Sequence, residues 1–316
     1  VGTIRKVIET PVTFTIDSYT LGASAITIKQ HQRYVPQFAG ATGVMSLAPN
    51  EASAAGNNII VGGTWGAGGT TSLNRGHFSM SNTHFVWIKG STLNLSSNCH
   101  SINVEGCTNI KITGITQTSA NNSDVRNDPA GVYLTSHNFS DKSDACDNVQ
   151  IWNCTFNSVY GIRANVDRAS MSEKNTNISI KNCSLTGVRS GVDLTDCDNT
   201  AIQGGTVSSS SNATYGDNAI QIHADLGSVT NNYIYGVTTA APLTGKSAIV
   251  LSGKNSDSAV VRTTIDSNTL TCNSTSKVVL SNTAYIVISN NPAVATTANI
   301  SGYGNTTSGC SRIYYS

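Results

Sequence analysis

The chain has 316 residues, of which 38% are apolar, 12% charged and 6% aromatic, with Lys+Arg 19 against Asp+Glu 18 and a net charge of +1. A core can be closed, so a disordered chain is excluded. No broad basic field exists to meet a nucleic-acid backbone or an anionic membrane, and neither is expected as a partner. Ser, Thr, Asn and Gly take the place of charge, a mixture that suits many short strands joined by tight turns. No run of roughly 18 apolar residues is available to span a bilayer. Eight cysteines without a Cys-x-x-Cys pair speak for an oxidising compartment rather than a zinc site, so a secreted or cell-surface location is expected.

In chain order, residues 1–57 fit least well. Val12-Thr-Phe-Thr-Ile and Ala25-Ile-Thr-Ile read as strands, with a loop near residues 30–50, and the segment is expected to form an N-terminal cap and a first irregular coil. From residue 58 to 290 the chain repeats itself. Gly131-Val-Tyr-Leu, Gly161-Ile-Arg-Ala, Gly191-Val-Asp-Leu, Ala219-Ile-Gln-Ile, Ala248-Ile-Val-Leu and Lys277-Val-Val-Leu start 30, 30, 28, 29 and 29 residues apart. A second series interleaves: Asn109-Ile-Lys-Ile, Asn148-Val-Gln-Ile, Asn177-Ile-Ser-Ile and Asn199-Thr-Ala-Ile. Each member of that series runs on through a kink into a further apolar pair, as in Asn153-Cys-Thr-Phe and Asn182-Cys-Ser-Leu. Three short strands per repeat of 20 to 30 residues are one coil of a parallel β-helix, an all-β solenoid in which no coil buries its inner face alone. Residues 291–316 are expected to form a last irregular coil or a tail, and the whole is one continuous domain.

The period assigns columns. Val132, Ile162, Val192, Ile220, Ile249 and Val278 are expected to stack inward, as are Leu134, Ala164, Leu194, Ile222, Leu251 and Leu280, with about 4.8 Å between rungs. The recurring asparagines are expected to serve structure, their amides bonding from coil to coil. Cys154 and Cys183 occupy matching inward positions as stacked thiols or as a disulfide, and Cys107 can pair with Cys146.

The outward positions of the first strand carry the chemistry. One column reads Ser79, Asn103, Tyr133, Arg163, Asp193, Gln221 and Val250; the next reads Ser81, Glu105, Thr135, Asn165, Thr195, His223 and Ser252. Asp196, Asp225 and Lys254 follow just past the strand ends. Such a face suits an extended sugar polymer. Glu105, Tyr133, Arg163, Asn165, Gln221 and Lys254 are the candidate substrate-binding residues, with Arg163 available for a uronate carboxylate and Tyr133 or Trp87 for stacking on a ring. Glycoside hydrolysis needs two carboxyl groups about 5 to 5.5 Å or about 6.5 to 9.5 Å apart. Asp193 or Asp196 with Asp225 are the candidates, and His223 is expected to tune protonation. No cofactor is expected for hydrolysis. In β-elimination, Tyr133, His223 or Lys254 would remove a proton beside a carboxylate neutralised by Arg163 or by a calcium ion.

Through Gly62-Gly-Thr-Trp, Asn109-Ile-Lys-Ile-Thr-Gly and Asn148-Val-Gln-Ile-Trp-Asn-Cys-Thr-Phe, residues 55 to 290 resemble the pectin-lyase-like superfamily of right-handed parallel β-helices. The look is closest to polygalacturonase-like glycoside hydrolases. The Asn-Thr-Asp, Asp-Asp, Gly-His-Gly and Arg-Ile-Lys motifs of that group are missing; Gly76-His77-Phe78 and Arg312-Ile313-Tyr314 are partial echoes. The resemblance therefore implies polysaccharide processing and carries over no catalytic residue. The expectation is a secreted polysaccharide-processing enzyme, foremost a glycoside hydrolase. The alternatives are a polysaccharide lyase and a noncatalytic glycan-binding surface or tail-fibre β-helix, monomeric in the first two cases and trimeric in the last.

Overall fold

The structure is a computed structural model. It describes the backbone of short strands between residues 12 and 84 and at 137–144, and backbone with side chains at 85–93, 100–117, 129–136, 145–165, 173–255, 257–302 and 309–316, together with Phe78 and Met80. Among these residues the architecture is a single-chain parallel β-helix. Two long sheets run along it, of 15 and 18 strands, and every pairing within them is parallel. The only helical element among the described residues is the 3-10 turn Thr297–Asn299.

The expected columns are the observed ones. Val132 aligns with Ile162, Ile162 with Val192, Val192 with Ile220, Ile220 with Ile249, and Ile249 with Val278. All six are fully buried. β-Branched residues are stiff at χ1 and pack well on a pleated surface, which is why a column of Val and Ile stacks without side-chain entropy to lose. The third strands align in the same way, Phe156 on Leu185 and Leu185 on Val207.

The turn before each second strand explains its asparagine. Asn109, Asn148, Asn177, Asn199 and Asn231 have φ of 58°, 52°, 56°, 52° and 58°, the left-handed region that Asn tolerates best among residues with a side chain. Asn148 Nδ2 donates to Asn109 Oδ1 at 2.7 Å and Asn231 Nδ2 to Asn199 Oδ1 at 3.2 Å, so the amides do bond between coils. Glycine opens three successive first strands for a different reason. A Cβ on Gly161 would lie 2.5 Å from Gly191 O, and one on Gly191 would lie 2.5 Å from Val207 Cγ1.

The seven described cysteines, Cys107, Cys146, Cys154, Cys183, Cys197, Cys272 and Cys310, are buried free thiols. They pack as small apolar residues, so no disulfide joins Cys107 to Cys146 or Cys154 to Cys183, and none of the seven argues for an oxidising compartment. Burial pushes the Cys146 thiol well above its ordinary range.

At the N-terminal end, strands Gln32–Pro36, Ala39–Thr42 and Met45–Leu47 fill the stretch expected to be a loop. Their parallel pairing to later strands extends both sheets into residues 12–57. At the other end, Ile300–Ser301 and Ser311–Tyr315 add a strand to each sheet. The segments near 117–129 and 169–175 lie largely outside the described residues, as do His77, Asp167 and the side chain of His137.

Candidate functional site

Strands Ala130–Thr135, Thr155–Asn165, Ser184–Thr195, Ile220–Ala224 and Ile249–Gly253 lie side by side. Their register sets Asn103, Tyr133, Arg163, Asp193, Gln221 and Val250 on consecutive rungs. The neighbouring column aligns Glu105 with Thr135 and Asn165, and Thr195 with His223 and Ser252. Residues some thirty apart in sequence are thus one rung apart in space.

His223 is the hinge of the arrangement. Its Nε2 lies 3.6 Å from Asp193 Oδ1, and its Nδ1 lies 2.7 Å from Ser252 Oγ. Asp193, His223 and Ser252 therefore form a polar row over three coils, His223 hydrogen-bonded to Ser252 and at ion-pair distance from Asp193, with the imidazole only partly exposed. One rung from Asp193 stands Arg163, its guanidinium carbon 4.7 Å from the centre of the Tyr160 ring. Tyr160 in turn accepts a hydrogen bond from Arg189 Nη1 at 3.2 Å. The Tyr160 ring thus backs the Arg163 guanidinium in a cation–π contact that narrows its rotameric freedom.

On the other side of Arg163, the Tyr133 ring stacks on His100, centroids 4.2 Å apart. His100 lies two residues before strand Ile102–Glu105, and its ring belongs to the edge of the groove. Nδ1 accepts the Ala130 N–H at 3.0 Å, leaving the ring proton on Nε2. Burial, and then the charge of Arg163, hold its pKa at about 3, so it is a neutral platform for Tyr133.

Several expected site residues are placed differently. Asp196 is buried and takes a left-handed φ of 54°. Its Oδ1 accepts the N–H groups of Asp225 and Leu226 at 2.8 and 3.0 Å, so the carboxylate caps the turn of the next coil rather than entering the groove. Gln221 is 7% exposed. Its Nε2 donates to Ser190 Oγ at 2.6 Å and its Oε1 accepts from Asn218, so the amide is spent within the fold. Asp225 is half-buried on that capped turn, two residues beyond His223. Glu105 accepts from Asn103 Nδ2 at 2.9 Å and stands three rungs from Asp193. Asn165 aligns with Thr135, and Lys254 is exposed past the end of its strand. Trp87 is not in the groove at all, because strand His84–Lys89 belongs to the other sheet.

Sequence reasoning passed over Tyr160, Arg189 and the role of Ser252. The signal for Tyr160 was present: the position before each repeat glycine holds Ala130, Tyr160 and Ser190, a bulky ring among small residues. Together with Ala130, Val159 and Val188 it forms a small apolar cluster outside the main core, on which Tyr133 and Tyr215 pack.

No protein-family model matches the sequence, and no curated protein sequence does. Solved structures do share the fold. The A-module of mannuronan C-5 epimerase AlgE4 from Azotobacter vinelandii is 9% identical with a TM-score of 0.54, over 97% of this chain and 89% of that one. The A-module of AlgE6 from the same organism is 10% identical with a TM-score of 0.51, over 97% and 88%. The surface adhesin PfbA of Streptococcus pneumoniae is 12% identical with a TM-score of 0.49, over 97% and 82%. The fold is the right-handed parallel β-helix that the sequence resemblance implies.

Proposed function

We propose that the chain is a polysaccharide-processing enzyme that acts on polymers of uronic acids by removing the proton at C5, beside the sugar carboxylate. One observation carries this reading: Arg163 stands on the rung between Tyr133 and the Asp193–His223 pair. A guanidinium pairs with a carboxylate through two parallel hydrogen bonds and stabilises the negative charge that grows as the C5–H bond breaks. Tyr133, one rung from Arg163, and His223, two rungs away on the far side of Asp193 and one column over, are the proton carriers, with about 4.8 Å per rung. When the C5 electron pair forms a C4=C5 double bond, the C4–O bond breaks, the leaving oxygen takes a proton and the polymer is cleaved by elimination. When a proton returns to C5 on the opposite face, the sugar is epimerised, the reaction for which the two Azotobacter modules are named.

Hydrolysis, the leading expectation from sequence, asks for a second carboxylate within about 9.5 Å of the first. The rungs on either side of Asp193 carry Arg163 and Gln221, Asp196 is committed to its turn, and Asp225 stands four residues beyond Gln221, past the end of strand Ile220–Ala224. Elimination or epimerisation needs one cation and groups that carry a proton, and the presence of Arg163, Tyr133 and His223 on this face supports that reading over hydrolysis. A polymer of this kind places the work outside the cell.

The test is incubation in deuterium oxide with polymannuronate, polyguluronate, polygalacturonate and a neutral glucan, with calcium added in one arm and chelated in another. Deuterium at C5 or absorbance from unsaturated sugars on a polyuronate is expected. New reducing ends with neither signature would replace this reading by hydrolysis. Unchanged polymers throughout would replace it by a binding surface.

A further inference from the structure

The second sheet carries a feature that the groove does not use. On its outer face one column aligns Trp87, Lys111, Gln150 and Ser179, and the next aligns Lys89, Thr113, Trp152 and Lys181. The chain has three tryptophans, and two of them stand here. Both indoles are pinned: Trp87 Nε1 donates to Thr113 Oγ1 at 2.7 Å and Trp152 Nε1 to Ser179 Oγ at 3.0 Å. Lys111 Nζ lies 4.7 Å from the centre of the Trp87 ring and 5.2 Å from that of Trp152, while Lys89 Nζ lies 4.9 Å from Trp87. Neither column holds a carboxylate over these four rungs, while Lys89, Lys111 and Lys181 bring three positive charges; the carboxylate on the strand of Trp152, Asp147, lies at its start, bonded to Thr176 and Asn177. Farther along, the same two columns turn to Tyr233, Tyr235 and Asp266, and the basic character ends.

We propose that this face is a second binding surface, for an anionic polysaccharide lying along the stack. An ammonium held over an indole has shed part of its hydration and part of its rotameric freedom, so it meets a carboxylate at lower cost than a lysine waving in water. Indole faces and edges between such cations suit pyranose rings. The rungs repeat the cations along the helix axis, the direction in which a polymer would extend from the groove. A nucleic acid is the poorer occupant: three lysines over four rungs cover only about 14 Å, and the chain has a net charge of only +1. The choice of uronates as the anionic sugar rests on the proposed function; the surface itself does not.

The experiment is a titration of tryptophan emission in the full chain with polymannuronate, polygalacturonate, dextran and a single-stranded oligonucleotide. A saturable change with a polyuronate is expected, lost as salt approaches about 1 M, where charges are screened within about 3 Å. The change should persist in Arg163→Gln, whose groove is disabled, and its midpoint should rise about tenfold or more in Lys111→Gln and in Lys181→Gln. Neither lysine variant should alter turnover of short oligomers in the groove. Emission that responds equally to dextran, responds more tightly to the oligonucleotide, or is indifferent to both lysine substitutions would overturn the proposal. Loss of the emission change in Arg163→Gln alone would do the same by assigning the binding to the groove. Absence of any catalysis with the emission change intact would count against the function and not against the surface.

Discussion

The strands that build the groove face two ways, and their two sides obey different rules. Inward, Leu134, Ala164, Leu194, Ile222 and Leu251 put apolar on apolar at each rung, all buried. Outward on those same strands, Tyr133, Arg163, Asp193 and Gln221 change chemical type at each rung. Stacking like on like satisfies a dry core of fixed cross-section, and the ladder asks nothing more of a residue. A column that changes from phenol to cation, anion and amide stacks no like on like, and each member finds a different partner beside the ladder: His100 for Tyr133, Tyr160 for Arg163, His223 for Asp193 and Ser190 for Gln221. The same contrast holds on the second sheet. There the stacked Asn109 and Asn148 serve the turn, while two columns of Trp and Lys serve no core.

The largest effects should fall on opposite observables. Leu194→Ala empties a fully buried position and should cost about 2 to 5 kcal/mol of unfolding free energy, read as a lowered denaturant midpoint. Arg163→Gln, on the preceding rung, removes the cation from the reacting carboxylate and should lower kcat by about 100-fold to 1,000-fold. Its unfolding free energy should fall by no more than about 1 kcal/mol, the worth of a partly exposed cation–π contact. Equal loss of stability in the two variants would erase the distinction between the two sides of the strand.

His100 sharpens the comparison, because it belongs to the groove by contact and to the core by burial. Its folded pKa of about 3 lies below the ordinary 6.5, so the unfolded chain takes up a proton first as the solution is acidified. Stability from this residue is complete above about pH 6.5 and falls progressively toward pH 3, by up to about 1.4 kcal/mol for each pH unit. His100→Gln keeps an acceptor for the Ala130 N–H without the titration. Urea midpoints measured from pH 7 to 4 should slope less in that variant than in the parent. Parallel slopes would place the pH dependence elsewhere.

Most of the ladder was legible in the sequence because a coil can place a residue on only one of two sides. The spacing of Gly131, Gly161 and Gly191 therefore predicted that Tyr133, Arg163 and Asp193 would be neighbours, and they are. What period and parity do not encode is how far a side chain reaches and what it meets. Tyr160 reaches beneath Arg163, and His100 reaches beneath Tyr133, across bends where the alternation breaks. Gln221 sits in the predicted column, yet Ser190 has taken its amide. Trp87 was misplaced for a simpler reason. Its own strand aligns with Asn109-Ile-Lys-Ile, the second series, and that alignment already assigns it to the other sheet.

Asp196 is the residue on which the comparison can break most sharply with a modest substitution. Sequence spacing made it a catalytic carboxylate, but the structure makes it a cap whose two bonds hold the Asp225 turn from one coil to the next. Asp196→Ala leaves two N–H groups without their acceptor and puts Ala at a φ of 54°. A loss of about 1 to 3 kcal/mol in stability is expected, with turnover per folded molecule kept within about threefold. Asp196→Asn, which keeps an acceptor oxygen and tolerates the left-handed backbone, should recover most of the stability. Because the Asn variant removes only the negative charge, a large fall in kcat with stability intact would return Asp196 to the chemistry. It would also restore the second carboxylate that hydrolysis requires.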